Sequence, residues 1–185
     1  MIGPAFEAVL EGARAGEEWA FAVLYRDLNP RLLRYFSAQA PTIAEDLASE
    51  TWLAAVGRLS TFRGEEAALR AWLFTIGRRR LVQHWRESGR RPTRPVDPAT
   101  LGNTVAPEDT EAEALAATSA QAAARAIAQA LTPDQAEVVL LRVLAGLDVA
   151  QVAAVLGKRP GTVRVLQHKA LRRLARSSSL EALTR

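Results

Sequence analysis

The chain has 185 residues, 24 Lys and Arg against 20 Asp and Glu, 49% hydrophobic but only 6% aromatic residues, and 36 alanines. Abundant alanine favours an all-α protein, because alanine loses no side-chain entropy in a helix and packs poorly on a pleated face, while the absence of cysteine excludes a disulfide framework and a thiolate metal site and fits a reducing cytoplasm. The net charge of +4 resolves into alternating blocks, −3 over residues 1–60, +6 over 61–95, −6 over 96–137 and +7 over 138–185. Two basic blocks set apart in this way suit a polyanion gripped at two places, or else two solvated helix faces.

Residues 1–22 interrupt their apolar positions with Glu7, Glu11, Arg14, Glu17 and Glu18. That pattern fits neither a signal peptide nor a membrane span, so no membrane is expected as a partner. Phe21, Leu24, Leu28 and Leu32 then recur at helical spacing, with Asn29-Pro30 marking a kink between two stretches. After Pro41 a helix is predicted to about Leu59, opened by a capping box of Thr42 and Glu45. Its Asp46 and Glu50 share one side, with Leu47 and Leu53 nearby. Like charges four apart repel unless a basic partner receives them; alternatively Asp46 complements the helix dipole and Glu50 is solvated.

A loop over residues 60–66, bent at Gly64, leads to a long helix bearing Leu69, Trp72, Leu73 and Ile76 and ending near Gly89. Trp72 reads as a core residue within that stripe. Further along, Arg79, Gln83, Arg86 and Arg90 fall on one face, and Arg78, Arg80, His84 and Trp85 add charge and flat π surface, a combination that can track a nucleic-acid strand and stack on its bases.

Pro92, Pro95, Pro98, Gly102 and Pro107 lack any helical period, so residues 92–110 are read as an extended acidic linker joining two small helical domains, 1–91 and 111–185. The alanine-rich run over residues 112–130 is predicted as a helix. Thr132-Pro133 starts another helix, in which Val138, Leu141 and Leu144 face inward, and Gly146 ends it. Asp148 and Gln151 form a second capping-box-like start for a short helix that Gly157 stops. Beyond the Gly157-Lys158-Arg159 turn, Pro160 opens a helix with the apolar stripe Val163, Leu166, Ala170 and Leu174. This is helix-turn-helix spacing. Around the stripe stand Arg159, Thr162, Arg164, Gln167, His168, Lys169, Arg172 and Arg173, suited to base edges and phosphates in a major groove; an ordinary helical hairpin with a basic exterior is the plainer reading.

Taken in order, Gly16-Glu17-Glu18-Trp19-Ala20-Phe21, Ala44-Glu45-Asp46-Leu47-Ala48-Ser49-Glu50-Thr51-Trp52, Phe62-Arg63-Gly64, Ala71-Trp72-Leu73-Phe74-Thr75-Ile76-Gly77-Arg78 and Leu131-Thr132-Pro133-Asp134-Gln135 through Gly161-Thr162-Val163-Arg164 resemble a bacterial RNA polymerase sigma factor of the extracytoplasmic-function type. The resemblance implies a subunit that binds core RNA polymerase, directs it to promoter DNA and assists melting. Asp46, Leu47, Glu50 and Leu53 would meet the beta-prime clamp helices. Phe62, Arg63, Gly64, Arg78, Arg79, Arg80, Gln83, Trp85 and Arg86 would engage the minus-ten element, with a flipped base received at the Phe62-Arg63-Gly64 loop. Arg159, Thr162, Arg164, Gln167, His168, Lys169 and Arg172 would engage the minus-thirty-five element. Apolar surface around Leu140, Leu141 and Leu144 would hold the beta flap tip, and an anti-sigma protein is a further candidate partner.

Several positions depart from the family pattern: Arg79 stands where Asn is common, Gln83 where Asp is common, Leu166-Gln167 where Arg-Leu is usual, and Arg159 in place of a capping Ser. Promoter sequence is therefore not carried over. A self-sufficient helix-turn-helix regulator would need a dimer or ligand-sensing surface in the amino half, which the Asp46/Glu50 face beside a basic, Trp-bearing helix fits poorly. Catalysis, a metal and a cofactor are not expected: His84 and His168 lack paired ligands, and Gly157-Lys158 lacks the rest of a phosphate-binding loop.

Overall fold

The computed structural model describes residues 2–89 and 111–183, with side chains over 2–89 and 119–176. Among the described residues all regular structure is helical. After a 3₁₀ turn at Gly3–Ala5, helix α1 (Phe6–Ala15) buries Phe6, Val9, Leu10 and Ala13, the i, i+3, i+4, i+7 stripe of a helix lying on a core. Gly16 closes α1 at φ 83°, a left-handed position that an L side chain strains to adopt.

Helix α2 (Glu18–Ser37) runs unbroken through Pro30, so the two stretches expected on either side of that proline form one element. Proline withholds one amide from the helix. Leu24, Leu28 and Leu32, together with Tyr35 and Phe36, are nearly or fully buried on both sides of it, and Trp52 Nε1 donates to Asn29 Oδ1 at 3.0 Å, tying the helix to its neighbour next to the proline. Packing outweighs the lost bond.

Helix α3 (Ala44–Leu59) follows a 3₁₀ turn at Pro41–Ile43. The Thr42/Glu45 capping box does not form: the position before α3 is Ile43, which makes no side-chain cap bond. Pro41 starts a turn that already includes Thr42, whereas a capping residue must stand extended ahead of the first helical turn. Helix α4 (Glu66–Glu87) buries Leu69, Leu73, Phe74, Ile76 and Leu81. At Gly77 an added Cβ would lie 2.9 Å from Phe36 Cζ, 3.2 Å from Leu32 Cδ1 and 3.4 Å from Thr51 Oγ1, so glycine is what lets α4 approach α2 and α3 this closely.

The second group holds α5 (Glu111–Ala130), α6 (Pro133–Val143), α7 (Val149–Leu156) and α8 (Pro160–Leu183). The expected start of α7 is realised as a reciprocal cap: Gln151 N donates to Asp148 Oδ1 at 2.8 Å and Asp148 N to Gln151 Oε1 at 2.9 Å. Gln135 plays the same part for α6, accepting from Thr132 N at 3.3 Å. Gly157 ends α7 at φ 63°, the Lys158 amide bonds back to the Ala153 carbonyl at 2.9 Å, and Lys158 Nζ reaches Asp134 Oδ2 of α6 at 3.1 Å. This fixes the angle at which α8 leaves the turn. Val163 and Ala170 of α8 are fully buried, with Leu166 and Leu174 half-buried beside them.

The two groups do not stand apart. Helix α4 packs on α7 and α2 on α5, and one apolar cluster runs from Phe6 through Leu81 to Val163. The linker read over residues 92–110 and the basic residue Arg90 lie outside the described residues.

Candidate nucleic-acid and partner interfaces

On α3, Asp46 and Glu50 are exposed and Leu53 projects with 76% of its surface in solvent, whereas Leu47 is buried beneath them. The apolar residue anchors the helix and the carboxylates face outward. Across from them stands α4, and between the two helices lies a cleft of about 430 Å³ lined by Asp46, Leu47, Glu50 and Leu53 on one wall and by Arg80, Gln83, His84 and Glu87 on the other. The cleft joins two sets of residues that the sequence placed on separate helices with separate tasks. Arg80 Nε stands 3.9 Å from Glu50 Oε2, a part-exposed pair that is worth little by itself.

The arginine-rich run of α4 divides by its helical angle. Arg79 and Arg86 are exposed, and so is Gln83, which donates to Glu87 at 2.9 Å. Trp85 is half-buried against the core cluster, leaving only part of its ring for stacking. Arg78 points the other way. Its Nε donates to Glu137 Oε1 at 2.7 Å and its Nη2 to Oε2 at 3.4 Å, and Glu137, on α6, is 2% exposed. The Tyr35 hydroxyl donates to the same carboxylate at 3.4 Å, and Arg31 Nη1 donates to the Leu144 carbonyl at 3.4 Å. In this arrangement Arg78 serves as the bolt between the two helical groups.

Burial sets the proton affinities here. Desolvation, reinforced by the charge of Glu137, pushes the Tyr35 phenol well above its ordinary value, so it stays a donor. Arg34, one residue away, is lowered by burial and by the nearby charge of Arg31. Leu140 and Leu141 are fully buried and Leu144 is half-buried, so in this arrangement the apolar surface expected for a flap tip is turned into the core.

The loop between α3 and α4 carries Phe62, Arg63 and Gly64. The Phe62 ring rests on Trp72, centroids 5.1 Å apart, while Arg63 and Gly64 are exposed. Trp72 is therefore the floor of the loop, half-buried against the core rather than within it as its place in the stripe suggested. Arg63 Nη1 donates to the carbonyls of Ser60 at 2.9 Å and Phe62 at 2.8 Å.

In the turn before α8, Arg159 is exposed, and on α8 itself Thr162, Arg164, His168, Lys169 and Arg172 are exposed and Gln167 is half-buried. They surround the buried Val163 and Ala170, so the exposed and core-facing sides of the helix separate as its period requires. Among the described residues no group of three or more His, Asp or Glu could hold a metal, and no helix is long and apolar enough to cross a membrane.

Sequence reasoning missed the Glu137–Arg78–Tyr35 contact, although a signal for it exists. Glu137 falls on the α6 stripe with Leu140, Leu141 and Leu144, and Arg78 falls between Phe74 and Leu81 at helical spacing. A charge on each of two apolar stripes marks a buried pair across a helix contact.

Comparison with known proteins gives these surfaces their context. Residues 24–91 match Sigma-70 region 2 and residues 121–174 match Sigma-70 region 4. The chain is 38% identical over 172 residues to the ECF RNA polymerase sigma factor BldN of Streptomyces coelicolor, spanning 91% of this chain and 64% of that protein. It is 30% identical over 182 residues to the ECF RNA polymerase sigma factor SigD of Mycobacterium tuberculosis, spanning 94% and 84%. Its fold is similar to that of the sigma factor RpoE from Bartonella quintana, solved in complex with the anti-sigma factor NepR, with a TM-score of 0.59, 24% identity, and 83% and 93% of the two chains covered. The order of the helices, the two matched regions and the relatives agree, and the chain belongs to the ECF RNA polymerase sigma factors.

Proposed function

We propose that this sigma factor binds core RNA polymerase through the outward face of α3, places α4 and the 60–65 loop on the minus-ten element and sets α8 in the major groove of the minus-thirty-five element. The observation that carries this division of labour is the segregation on α3 and α4: two exposed carboxylates, Asp46 and Glu50, and the exposed Leu53 form one wall of a cleft whose other wall begins a basic face. A polymerase surface carrying arginines would satisfy carboxylates that otherwise repel. The basic face beyond would then lie along DNA.

The chain makes and breaks no bonds in this reading. It lends the polymerase its choice of start site and acts in the cytoplasm, where polymerase and promoter are. For Arg78 to reach DNA and for Leu140 and Leu141 to reach a flap tip, the contact between α4 and the second helical group must open, so the closed arrangement corresponds to the unengaged protein. An anti-sigma partner, of the kind that RpoE of Bartonella quintana has in NepR, would act on this opening. Residues 1–91, 92–110 and 111–185 are then the polymerase-and-minus-ten part, the linker and the minus-thirty-five part.

The test is the double variant Asp46→Lys/Glu50→Lys, assayed by co-purification with core polymerase alongside its circular dichroism. Loss of association with an unchanged fold is expected. Wild-type association would place the polymerase contact elsewhere.

A further inference from the structure

Helix α1 lies outside the matched region 2, which begins at residue 24, yet it is fastened to the loop assigned above to the unpaired minus-ten base. Arg14, in its last turn, sends Nη2 to the Phe62 carbonyl at 2.6 Å, across 48 positions of sequence. At the other end of the same segment, the Ile2 and Gly3 amides donate to the two carboxylate oxygens of Glu66, at 3.2 and 3.0 Å. Glu66 is the first residue of α4 and is itself held by Arg70 at 3.0 Å. The amino-terminal segment therefore grips the loop on both flanks, at Phe62 and at Glu66, and leaves residues 63–65 between the two clamps.

The rest of the loop's support lies at or before Phe62, whose ring rests on Trp72 and whose amide bonds back to the Leu59 carbonyl at 3.1 Å. Gly64 stands at φ 149°, where a Cβ would come within 3.0 Å of Ala68 Cβ and 3.2 Å of Phe62 Cζ. The Phe62 carbonyl receives two guanidinium groups, its neighbour Arg63 at 2.8 Å and the distant Arg14 at 2.6 Å. Arg63 belongs to the loop and moves with it, so only Arg14 fixes that carbonyl to a separate, packed element. Arg14 is half-buried, with its Nε enclosed, so its bond to the Phe62 carbonyl is partly shielded from water. A pocket that must capture an extruded base works best already formed, because the energy of unstacking is then not compounded by ordering the receiver.

We propose that Arg14 is a positioning residue for base capture: it sets the peptide at Phe62 so that Arg63 and Gly64 present a preformed receiver for the flipped non-template base. This rests on the assignment of the 60–65 loop to the minus-ten element. It predicts a loss confined to promoter opening and to base discrimination at one position, with polymerase affinity unchanged, since the α3 face is untouched.

The experiment uses the full chain assembled with core polymerase on a promoter recovered by run-off selection, with 2-aminopurine placed at each minus-ten position of the non-template strand in turn. Arg14→Ala, Arg14→Lys, Arg63→Ala and Gly64→Ala are compared with wild type. Arg14→Ala should weaken capture on the order of tenfold, as expected for losing a charge-assisted bond, and flatten the preference among bases at the responding position. Arg14→Lys, keeping a cationic donor, should recover much of both. If Arg63→Ala and Gly64→Ala impair opening while Arg14→Ala matches wild type, the positioning role is refuted and the loop assignment stands. If the loop variants themselves open normally, the loop assignment fails and the inference falls with it. An equal drop in polymerase binding, closed-complex formation and opening, with base preference intact, would make Arg14 a fold-stabilising residue and also refute the proposal.

Discussion

Residue by residue, the consequential chemistry sits where a charge occupies an apolar stripe. Arg78 belongs by sequence to the run Arg78-Arg79-Arg80 and reads as a DNA contact, but its helical angle places it between Phe74 and Leu81, against the buried carboxylate of Glu137. Composition could not separate the three arginines; periodicity could have done so. Arg78→Ala would strand Glu137, and an uncompensated buried carboxylate costs about 3–5 kcal/mol. The least costly relief is for the modules to part and let water reach it, so small-angle scattering should show a larger radius of gyration for the variant than for wild type. An unchanged radius would mean that apolar packing alone holds the groups together. Tyr35 gives a second reading of the same contact. Its phenol is raised above the ordinary value of 10.0, so its contribution to stability is complete below that pH and declines as pH rises, when the unfolded chain ionises and the folded one does not. Relative to Tyr35→Phe, wild type should lose up to about 1.4 kcal/mol per pH unit above this point, read by chemical unfolding between about pH 9 and 11.5.

Most helices were legible as elements because their caps and stripes agree: Asp148 with Gln151, Gly157 at the turn, and Val163, Leu166, Ala170 and Leu174 behind it. One local signal misled for a physical reason: Thr42 could not cap α3 because Pro41 had already begun a turn. At Pro30 the two expected stretches join as one helix, since the burial of Leu28 and Leu32 on either side holds it across the missing bond. Helical glycines make the role of packing measurable. Gly57 of α3 has open space where a Cβ would stand, whereas Gly77 of α4 has Phe36 at 2.9 Å. Gly57→Ala should therefore stabilise by up to about 1 kcal/mol through helix propensity. Gly77→Ala should destabilise by about 1–3 kcal/mol through overpacking. Urea midpoints of the two variants should move in opposite directions; a shared direction would mean that the close crossing of α4 over α2 and α3 is absent in solution.

Across the whole molecule, the alternation of charge along the chain pointed to two basic surfaces, and the fold carries exposed basic side chains on α4 and on α8. What composition and charge blocks could not announce was that the two halves close on each other, because the trace of that contact is confined to one acid and one base set on separate apolar stripes, Glu137 and Arg78. Binding should also show the polyelectrolyte character of both surfaces. Arg86→Ala is expected to lower the salt dependence of promoter binding by about one unit of logarithmic slope, uniformly across sequences. Arg164→Ala should cost about 1–3 kcal/mol on one promoter and little on others if that side chain reads a base.

The most direct measurement is transcription by purified core polymerase over a library of random upstream sequences, with and without this protein, with transcript 5′ ends sequenced. A restricted set of start sites should emerge only in its presence, preceded at fixed spacings by two common elements, and should vanish with Asp46→Lys/Glu50→Lys. Start sites identical with and without the protein would contradict its role as the subunit that chooses them.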